Sequence, residues 1–462
     1  MFDKTTYTDR RRALCRTLPT GVALFLGNDE SPMNYAANCY DFRQDSSFLY
    51  FFGLDQPGLA AVIDLDEGKD ILFGDDVDIE DIIWLGPQEP LRSKAEAVGV
   101  PDVRPSDQLA GFLRGALANG RRVHFLPPYR PANALRLESL LGIRRPDLKD
   151  YVSTPLRRAV ASLRSVKSDA EVAEIELALA VTHAMYQAGY AAARPGARES
   201  AVRGAMEGVA RSSGVPFSFP PIISVRGETL HNHHHGNRME KGHLLVMDSG
   251  AESPRHYAAD ITRTIPVGGR FTDRQRGIYD AVLGAQLQAI HTIRPGRPYR
   301  EIHLLAARII TDHLKALGLM KGNTDDAVSE GAHALFFPHG LGHMIGLDVH
   351  DMEDIGEAFV GYDETVQRSD QFGLAYLRMA KALQSGFVVT VEPGIYFIPA
   401  LIDQWRAECR HADFINYDKV EEYRDFGGIR IEDDVLVTGT ANRVLGPPIP
   451  KSVDELENIL PA

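Results

Sequence analysis

The sequence predicts an α+β protein built from two domains, and three observations support this prediction. The 462 residues exceed the size at which one hydrophobic core keeps growing, so two domains are expected. Strand-like and helix-like runs alternate over residues 1–158, which is typical of a mixed α/β domain. A basic connector without strand patterns, residues 155–158, then precedes a helix-start signal at Ser168. We therefore place the boundary within 155–168 and the domains at 1–158 and 159–462.

The elements of the first domain are predicted from short apolar runs and from helical spacing. Runs rich in β-branched and aromatic residues predict strands over 22–26, 48–52, 60–63, 71–73 and 123–126. Apolar residues at helical spacing predict helices over 106–118 and 132–141. Strands and helices that alternate in this way indicate layers of both around one core.

The second domain begins with helices that have clear start signals. Ser168 and Glu171 form a capping-box pattern, in which each side chain bonds the backbone N–H of the other residue. A second helix is predicted over 199–213, and Thr272 with Gln275 repeats the capping box at the start of a third. Ile302, Leu305, Ile309 and Leu314 predict a further helix that stops at Gly318, so four long helices are expected in this domain.

Strands in the second domain bring two acidic residues together. Strands over 243–249 and 256–266 flank a turn-like segment, so Asp248 and Asp260 are expected on neighbouring antiparallel strands. The end of the chain is rich in strand patterns, over 387–391, 395–397, 428–431 and 435–437.

Charge, cysteine content and hydropathy exclude several classes of function. With 50 basic and 63 acidic residues the formal net charge is −13, which disfavours binding to nucleic acid. The three cysteines form no CxxC pair, so neither a disulfide framework nor a thiolate zinc site is predicted. No signal-peptide pattern and no uninterrupted apolar stretch of about 18 residues is present. We expect a soluble, cytoplasmic protein without nucleic-acid or membrane partners.

One set of acidic residues and histidines points to metal chemistry. Its centre is the segment 338–351, which contains three histidines, and short acidic motifs lie on both sides of it. Several carboxylates with a single imidazole suit Mn²⁺ and similar divalent ions, and four acidic ligands have enough charge for two cations. Two adjacent cations can lower the pKa of a shared water and polarise a carbonyl group, which is the basis of metal-assisted hydrolysis. The predicted ligands are Asp248, Asp260, His343, Glu392 and Glu432.

These motifs resemble those of the pita-bread metallopeptidases, and within them the Xaa-Pro peptidases aminopeptidase P and prolidase. They occur in the family's order and comprise residues 247–250, 257–264, 339–343, 348–351, 390–396 and 430–433. The resemblance is strong over 160–440 and reaches the first domain through residues 42–48. It implies an aminopeptidase P-like N-terminal domain, followed by a pita-bread domain with a curved, mostly antiparallel sheet.

The resemblance assigns the predicted ligands to two divalent ions. Asp248 would chelate one ion, and His343 with Glu392 would hold the other. Asp260 and Glu432 would bridge the two. The expected ion is Mn²⁺, with Zn²⁺ and Co²⁺ as alternatives.

The resemblance also implies roles for groups around the ligands. His231 and His350 would orient the substrate carbonyl and stabilise the oxyanion of the tetrahedral intermediate. Glu392 would shuttle a proton between the attacking water and the departing nitrogen. Arg430 would orient the carboxylate ligands.

Three more residues are candidates for substrate contact, each with a structural alternative. His339 contacts substrate or is a structural histidine beside the site, and Trp84 lines the substrate channel or belongs to the core. Arg378, fourteen residues before Glu392, matches the arginine with which prolidases bind the terminal carboxylate of a dipeptide. The alternative for Arg378 is an ordinary surface arginine.

The implied reaction is hydrolysis of the bond between an N-terminal residue and a following proline in peptides. We favour aminopeptidase P, because residues 43–52 match that group continuously. Prolidase is the alternative, favoured by Arg378 and by the long stretch between Glu392 and Glu432. A pita-bread binding module without catalysis is an alternative of another class, which the complete ligand set disfavours. Relatives assemble through their N-terminal domains, so a homodimer or higher homo-oligomer is expected.

Overall fold

The structure is a computed structural model that describes residues 1–18 and 20–460, and its chain divides into two units. The first unit consists of Met1–Arg164 and Glu353–Phe359, and the second of Ser165–Met352 and Val360–Ala462. The boundary placed after residue 158 from the sequence lies inside a helix, Thr154–Ser165. In the described ranges, no helix combines the length and the apolar character needed to cross a bilayer.

The first unit is organised around a mixed sheet of mostly apolar strands. In the described part of the unit these are β1 (Val22–Leu26), β2 (Ala60–Asp64), β3 (Lys69–Phe73), β4 (Asp102–Arg104) and β5 (Val123–His124). Their order in the sheet is β4-β3-β2-β1-β5. The pairs β1–β5 and β3–β4 are parallel, and the other two pairs are antiparallel.

Helices cover this sheet and complete the core of the first unit. They are α1 (Lys4–Thr17), α2 (Ser46–Phe52), α3 (Ile79–Leu85), α4 (Leu91–Ala97), α5 (Gln108–Ala118), α6 (Pro131–Leu141), α7 (Leu148–Tyr151) and α8 (Thr154–Ser165). Val62 and Phe73 of the sheet pack in one cluster with Leu113 of α5 and Leu137 of α6. The predicted helices over 106–118 and 132–141 are confirmed as α5 and α6.

The strand predicted over 48–52 is wrong, because this segment is the second half of α2. The Asp45 carboxylate accepts a hydrogen bond from the Phe48 N–H at 2.8 Å and caps the helix, and Gly53 ends it with a φ of 64°. Every residue of α2 is buried. A fully buried helix shows no polar face, so an apolar run of this length does not distinguish it from a strand.

The second unit contains the four long helices that the sequence predicts, α9 to α12 in the list below. The capping boxes at Ser168 and Thr272 are both formed and open α9 and α11. The helices are α9 (Asp169–Ala192), α10 (Glu199–Ser212), α11 (Asp273–Thr292), α12 (Tyr299–Ala316), α13 (Thr324–Glu330), α14 (Glu357–Val360, mostly in the first unit), α15 (Pro399–Ala407), α16 (Tyr417–Glu421) and α17 (Val453–Ile459). Helices α15 and α16 lie in a stretch where the sequence suggested mainly strands.

The sheets of the second unit are small and antiparallel. The strands are β6 (Ile222–Ser224), β7 (Leu244–Ser249), β8 (Ile261–Pro266), β9 (Val388–Val391), β10 (Gly394–Tyr396), β11 (Gly428–Arg430), β12 (Asp433–Val437) and β13 (Asn442–Val444). They form the sheets β6-β7-β8, β13-β12-β9 and β10-β11. The α+β class with antiparallel sheets in the C-terminal part is confirmed.

The hairpin predicted around Asp248 and Asp260 differs in one detail. Asp248 lies within β7, opposite Thr262 of β8. The second strand starts only at Ile261, not at residue 256, because the preceding segment bends through His256, whose φ is 65°. Asp260 is therefore the last residue of the loop between β7 and β8 and does not lie inside a strand.

Candidate active site

Four of the five predicted metal ligands come from strand ends of the second unit, and the fifth, His343, lies in a segment outside the strands. Asp248 lies near the end of β7, and Asp260 directly precedes β8. Glu392 follows β9, and Glu432 lies between β11 and β12. Strand ends are held by the hydrogen bonds of their sheets, so they present these side chains rigidly.

Backbone and side-chain hydrogen bonds to neighbouring residues hold Asp260 and Glu432, the two residues that are expected to bridge the ions. The Glu432 N–H donates to the Thr262 carbonyl at 3.0 Å, and the Thr262 hydroxyl donates to Glu432 Oε2 at 2.7 Å. The Asp260 N–H donates to Asp434 Oδ2 at 3.1 Å. Asp260 and Glu432 are thus fixed by neighbouring residues of β8 and β12.

The fifth predicted ligand, His343, is oriented by bonds on both sides. Its backbone N–H donates to the Thr390 hydroxyl at 3.1 Å, and its Nδ1 donates to the Met344 carbonyl at 3.0 Å. The Nε2 lone pair is therefore available, and Nε2 lies 3.5 Å from Asp260 Oδ2 and 3.7 Å from Glu392 Oε1. These separations exceed a normal hydrogen bond, so there is room for a shared cation.

Unpartnered oxygens test whether the residues fit a metal centre. Asp248 Oδ1, Asp260 Oδ1 and Glu432 Oε1 are buried and have no hydrogen-bond partner among the described residues. Ligand atoms of Asp260, His343 and Glu432 lie within 4.8 Å of one another. Buried polar atoms without partners are rare in native proteins, and buried carboxylates are costly unless paired or bound to metal. The residues fit divalent cations.

Burial and repulsion between neighbouring charges shift the pKa values of the predicted ligands. Burial, followed by repulsion from Glu432 and Asp248, raises the pKa of the Asp260 carboxyl well above its usual value. Burial, and to a smaller extent repulsion from Glu392, raises the pKa of Glu432 well above its usual value. Burial also raises the pKa of Glu392 to about 7 and lowers the pKa of His343 well below its usual value. A cation would relieve the repulsion and stabilise the ionised carboxylates.

We expect metal affinity to fall as the pH is lowered from 8 to 6. A carboxyl group must lose its proton to bind a cation, and the pKa of Glu392 lies at about 7 in the metal-free chain. Below that pH a proton competes with the ion, so the Kd for Mn²⁺ should rise by up to roughly tenfold per pH unit for each proton displaced. Isothermal titration calorimetry at pH 6, 7 and 8 measures this, and a constant Kd would contradict the expectation.

A hydrogen-bond chain leads away from the carboxylates through Arg430. Its Nη2 donates to Asp248 Oδ2 at 2.6 Å, and its Nη1 donates to the Tyr396 hydroxyl at 2.8 Å. The Tyr396 hydroxyl lies 2.8 Å from His339 Nε2, and His339 Nδ1 lies 2.8 Å from the Gly340 carbonyl. Because the carbonyl can only accept, Nδ1 has the proton and Nε2 accepts from Tyr396. Both ring nitrogens of His339 are thus bonded within the chain, which favours its structural alternative.

Two residues in this arrangement were not singled out from the sequence. Thr262 orients Glu432, and Tyr396 supports Arg430. Both lie in motifs quoted above, two residues after Asp260 and four after Glu392. In the strand predicted over 256–266, alternation of side chains would put Thr262 on the same face as Asp260, and this signal could have singled out Thr262.

The remaining predicted residues of the second unit are His350, His231 and Arg378. His350 stacks edge-on against His343, with ring centroids 4.2 Å apart. Burial lowers the pKa of His231, and the charges of Arg430 and His350 lower it further, whereas the charge of Asp248 raises it. His231 is therefore close enough to these groups of the site to interact with their charges. The charge of Arg378 acts on Glu392 and His343, after the larger effect of burial, and places it there too.

Trp84 is the predicted site residue that does not belong to the second unit. It belongs to α3 of the first unit, and 79% of its surface is exposed. The alternative of a core tryptophan is therefore wrong. Its contact with substrate stays a prediction.

Comparison with known proteins identifies the family. Residues 173–439 match metallopeptidase family M24. The chain belongs to this family. In addition, residues 7–124 of this M24 peptidase match the N-terminal domain of aminopeptidase P.

Relatives of this M24 peptidase include two kinds of Xaa-Pro peptidase. An Xaa-Pro dipeptidase of Rattus norvegicus is 33% identical over 97% of this chain and 92% of its own length. A probable Xaa-Pro aminopeptidase of Botryotinia fuckeliana is 33% identical over 91% of this chain and 87% of its own. An aminopeptidase structure from Pseudomonas aeruginosa superposes with a TM-score of 0.81 and 28% identity, covering 99% of this chain and 98% of that one. The structure of Zn-substituted Escherichia coli aminopeptidase P in complex with product superposes with a TM-score of 0.81 and 29% identity. It also covers 99% of this chain and 98% of that one.

Proposed function

We propose that this M24 peptidase is an Xaa-Pro aminopeptidase, which removes an N-terminal residue that precedes proline. The observation that supports hydrolysis most directly is the cluster of buried carboxylates with unpartnered oxygens around His343. The observation that supports the Xaa-Pro class is the likeness to aminopeptidase P structures over 99% of the chain, including an Escherichia coli enzyme in complex with substrate.

The proposal assigns two divalent ions, Mn²⁺ in the first instance, to the five ligands. In it Asp248 would hold one ion, His343 and Glu392 would hold the other, and Asp260 and Glu432 would contribute to holding both. Such ions supply a Lewis acid for the substrate carbonyl and lower the pKa of water. The network around Arg430 and Thr262 supports this assignment, because it occupies one oxygen of Asp248 and one of Glu432 and leaves the other for metal.

Glu392 is proposed as the group that shuttles the proton to the departing proline nitrogen. Its side chain is 19% exposed, against 7% for Asp260 and 5% for His343. It is therefore the most exposed carboxylate among the proposed ligands. A carboxyl group whose pKa lies near neutrality can both accept and donate a proton at physiological pH.

His231 and His350 are proposed to contact the reacting carbonyl. His350 is held against His343, and His231 lies in an exposed loop after β6. A neutral imidazole N–H at either position can donate to the oxyanion of the tetrahedral intermediate, where charge develops. Arg430 holds Asp248 and does not itself reach substrate in this proposal.

Prolidase activity is the second candidate, and Arg378 favours it. Its charge acts on the pKa of Glu392 and of His231. A guanidinium close to the ligands matches the position needed to bind the terminal carboxylate of a dipeptide, in which the proline carboxylate lies close to the scissile bond. Helices α15 and α16 fill the long stretch between Glu392 and Glu432 that favoured this alternative.

Peptide length separates the two candidates. We expect Xaa-Pro-Xaa tripeptides to be cleaved with Mn²⁺ present, and Arg378→Ala to change tripeptide kcat/KM by less than about threefold. If dipeptide cleavage dominates and Arg378→Ala lowers dipeptide kcat/KM by at least about tenfold, the loss of one charge-assisted pair, prolidase is correct. Arg308→Ala, which removes an exposed arginine on α12, is the matched control.

Three further parts of the proposal have simple checks. A catalytically inactive binding module would hold no stoichiometric metal, so metal analysis of purified protein addresses that alternative. We also propose a homodimer or higher homo-oligomer, which sedimentation measures, and a cytoplasmic location. Trp84 and His339 are retained as candidate substrate contacts, and their alanine variants should raise KM if they are.

A further inference from the structure

A fully buried ion pair lies at the base of the segment that contains His343 and His350. Lys167 Nζ is 2.7 Å from Asp351 Oδ2, and both side chains are 1% exposed. Taking two charges out of water is costly, and their attraction often only offsets this cost. The pair is therefore better explained by what it holds in place than by a gain in stability.

The ion pair closes a short loop on which His350 stands. The Asp351 N–H donates to the Met344 carbonyl at 2.9 Å, so the two ends of the loop meet beside Lys167. The Ala258 N–H donates to the Gly346 carbonyl at 2.7 Å and ties the middle of the loop to the segment before β8. His350 directly precedes Asp351, so the position of its backbone follows from the position of the aspartate.

The surroundings of the pair leave the lysine little freedom. The Lys167 backbone N–H donates to the Gly386 carbonyl at 2.8 Å, which anchors the residue just before α9. A Cβ at Gly346 would lie 2.6 Å from Asp351 Oδ2 and 2.9 Å from Lys167 Cε. Only glycine at this position leaves room for both charged side chains, so the loop and the pair are built to fit each other.

We propose that Lys167 is a positioning residue for His350. It fixes the Asp351 carboxylate, and Asp351 in turn fixes the loop so that the His350 ring packs edge-on against His343, with centroids 4.2 Å apart. The inference rests on the proposed function in one respect: the catalytic effect of the displacement depends on His350 contacting the reacting carbonyl.

The test compares Lys167→Met with the double variant Lys167→Met/Asp351→Asn. The single variant leaves a buried carboxylate without its cation and is expected to be less stable, whereas the double variant buries no unpaired charge. In both, we expect kcat to fall at least about tenfold, as for other groups that support a site, with KM changed less than about threefold and metal content unchanged. Lys419→Met, which removes an exposed lysine paired with Glu422, should leave all three unchanged.

A double-mutant cycle shows whether the lysine acts through His350. If it does, Lys167→Met has little further effect on kcat in a His350→Ala background, because the group that it positions is already absent. Multiplicative losses would overturn the proposal, since they indicate independent effects on the site.

A readout that does not depend on activity separates this inference from the proposed function. In protein with labelled histidine, the His350 ring resonances should shift in the double variant and stay in place in Lys419→Met. Wild-type protein that does not cleave Xaa-Pro bonds would refute the proposed function while this measurement still tests the position of His350. Unchanged His350 resonances in a folded double variant would overturn the inference.

Discussion

Asp260→Asn is expected to abolish peptide hydrolysis and to remove bound metal. Asp260 is buried beside Glu432 and His343, with one oxygen lacking a partner in the described part of the chain. An amide has no negative charge to hold a cation. Substitution of residues that only support a ligand costs roughly 10- to 100-fold, so loss of a ligand between two ions should exceed about a hundredfold in kcat/KM. Metal analysis and initial rates with saturating Mn²⁺ measure both effects.

The matched control for Asp260→Asn is Asp403→Asn. Asp403 is an exposed carboxylate of α15 that pairs with Arg424, and it is not among the proposed ligands. It should leave metal content and rates unchanged. Full metal content in Asp260→Asn would show that this carboxylate is not a ligand, whatever its activity. Circular dichroism of both variants excludes misfolding as the cause.

Arg263→Met is expected to be the most destabilising single substitution in the second unit. The Arg263 guanidinium is buried, lies 2.7 Å from Asp433 Oδ1 and donates to the carbonyls of Glu432, Ile449 and Pro450. Methionine takes away one of the two cations beside Asp433, the other being Lys451, and leaves these buried carbonyls without their donor, so we expect a loss of about 3–5 kcal/mol. Urea unfolding, monitored by circular dichroism, should show this loss in the free energy of unfolding.

Arg270→Met is the control for this substitution. Arg270 also forms an ion pair, with Glu457, but its side chain is exposed. Exposed pairs contribute about 0–1 kcal/mol, so the stability of this variant should be nearly that of wild type. A similar loss in both variants would mean that burial of the Arg263 pair does not determine its effect.

The pH dependence of the Arg263 pair follows from Asp433. Neighbouring Arg263 and Lys451 lower the pKa of this buried carboxyl to about 2, although burial alone would raise it. A depressed carboxyl pKa stabilises the fold above the unfolded value near 4, and this contribution is lost as the pH falls toward 2. The difference in stability between wild type and Arg263→Met should therefore narrow in acid.

The site could be predicted from the sequence because its ligands stand in motifs whose order and chemistry agree. A lone acidic residue on a strand is usually half of a surface ion pair, whereas Asp260, His343 and Glu432 stand in motifs that resemble, in the same order, those of the pita-bread metallopeptidases. Helix starts at Ser168 and Thr272 were equally accessible, because a capping box is a local signal. These predictions depend on neighbouring residues and need no tertiary contacts.

The features that were missed depend on contacts between distant parts of the chain. The support of Arg430 by Tyr396 joins β10 and β11, and the fit of Gly346 to the Lys167 pair joins segments far apart in sequence. Neither leaves a periodic pattern. The sequence predicts a strand over 48–52 in place of the last five residues of α2, because burial on all sides removes the polar face that marks a helix.

The spread of the ligands along the chain has a consequence for biosynthesis. Asp248 and Asp260 emerge from the ribosome long before Glu392 and Glu432, which complete the cluster from the last strands. A nascent chain that ends before β12 lacks the carboxylate that faces Asp260 across the centre. If Glu432 is a ligand, the cluster is complete only after this residue has left the ribosome, and we expect a chain truncated before β12 to bind divalent cations more weakly.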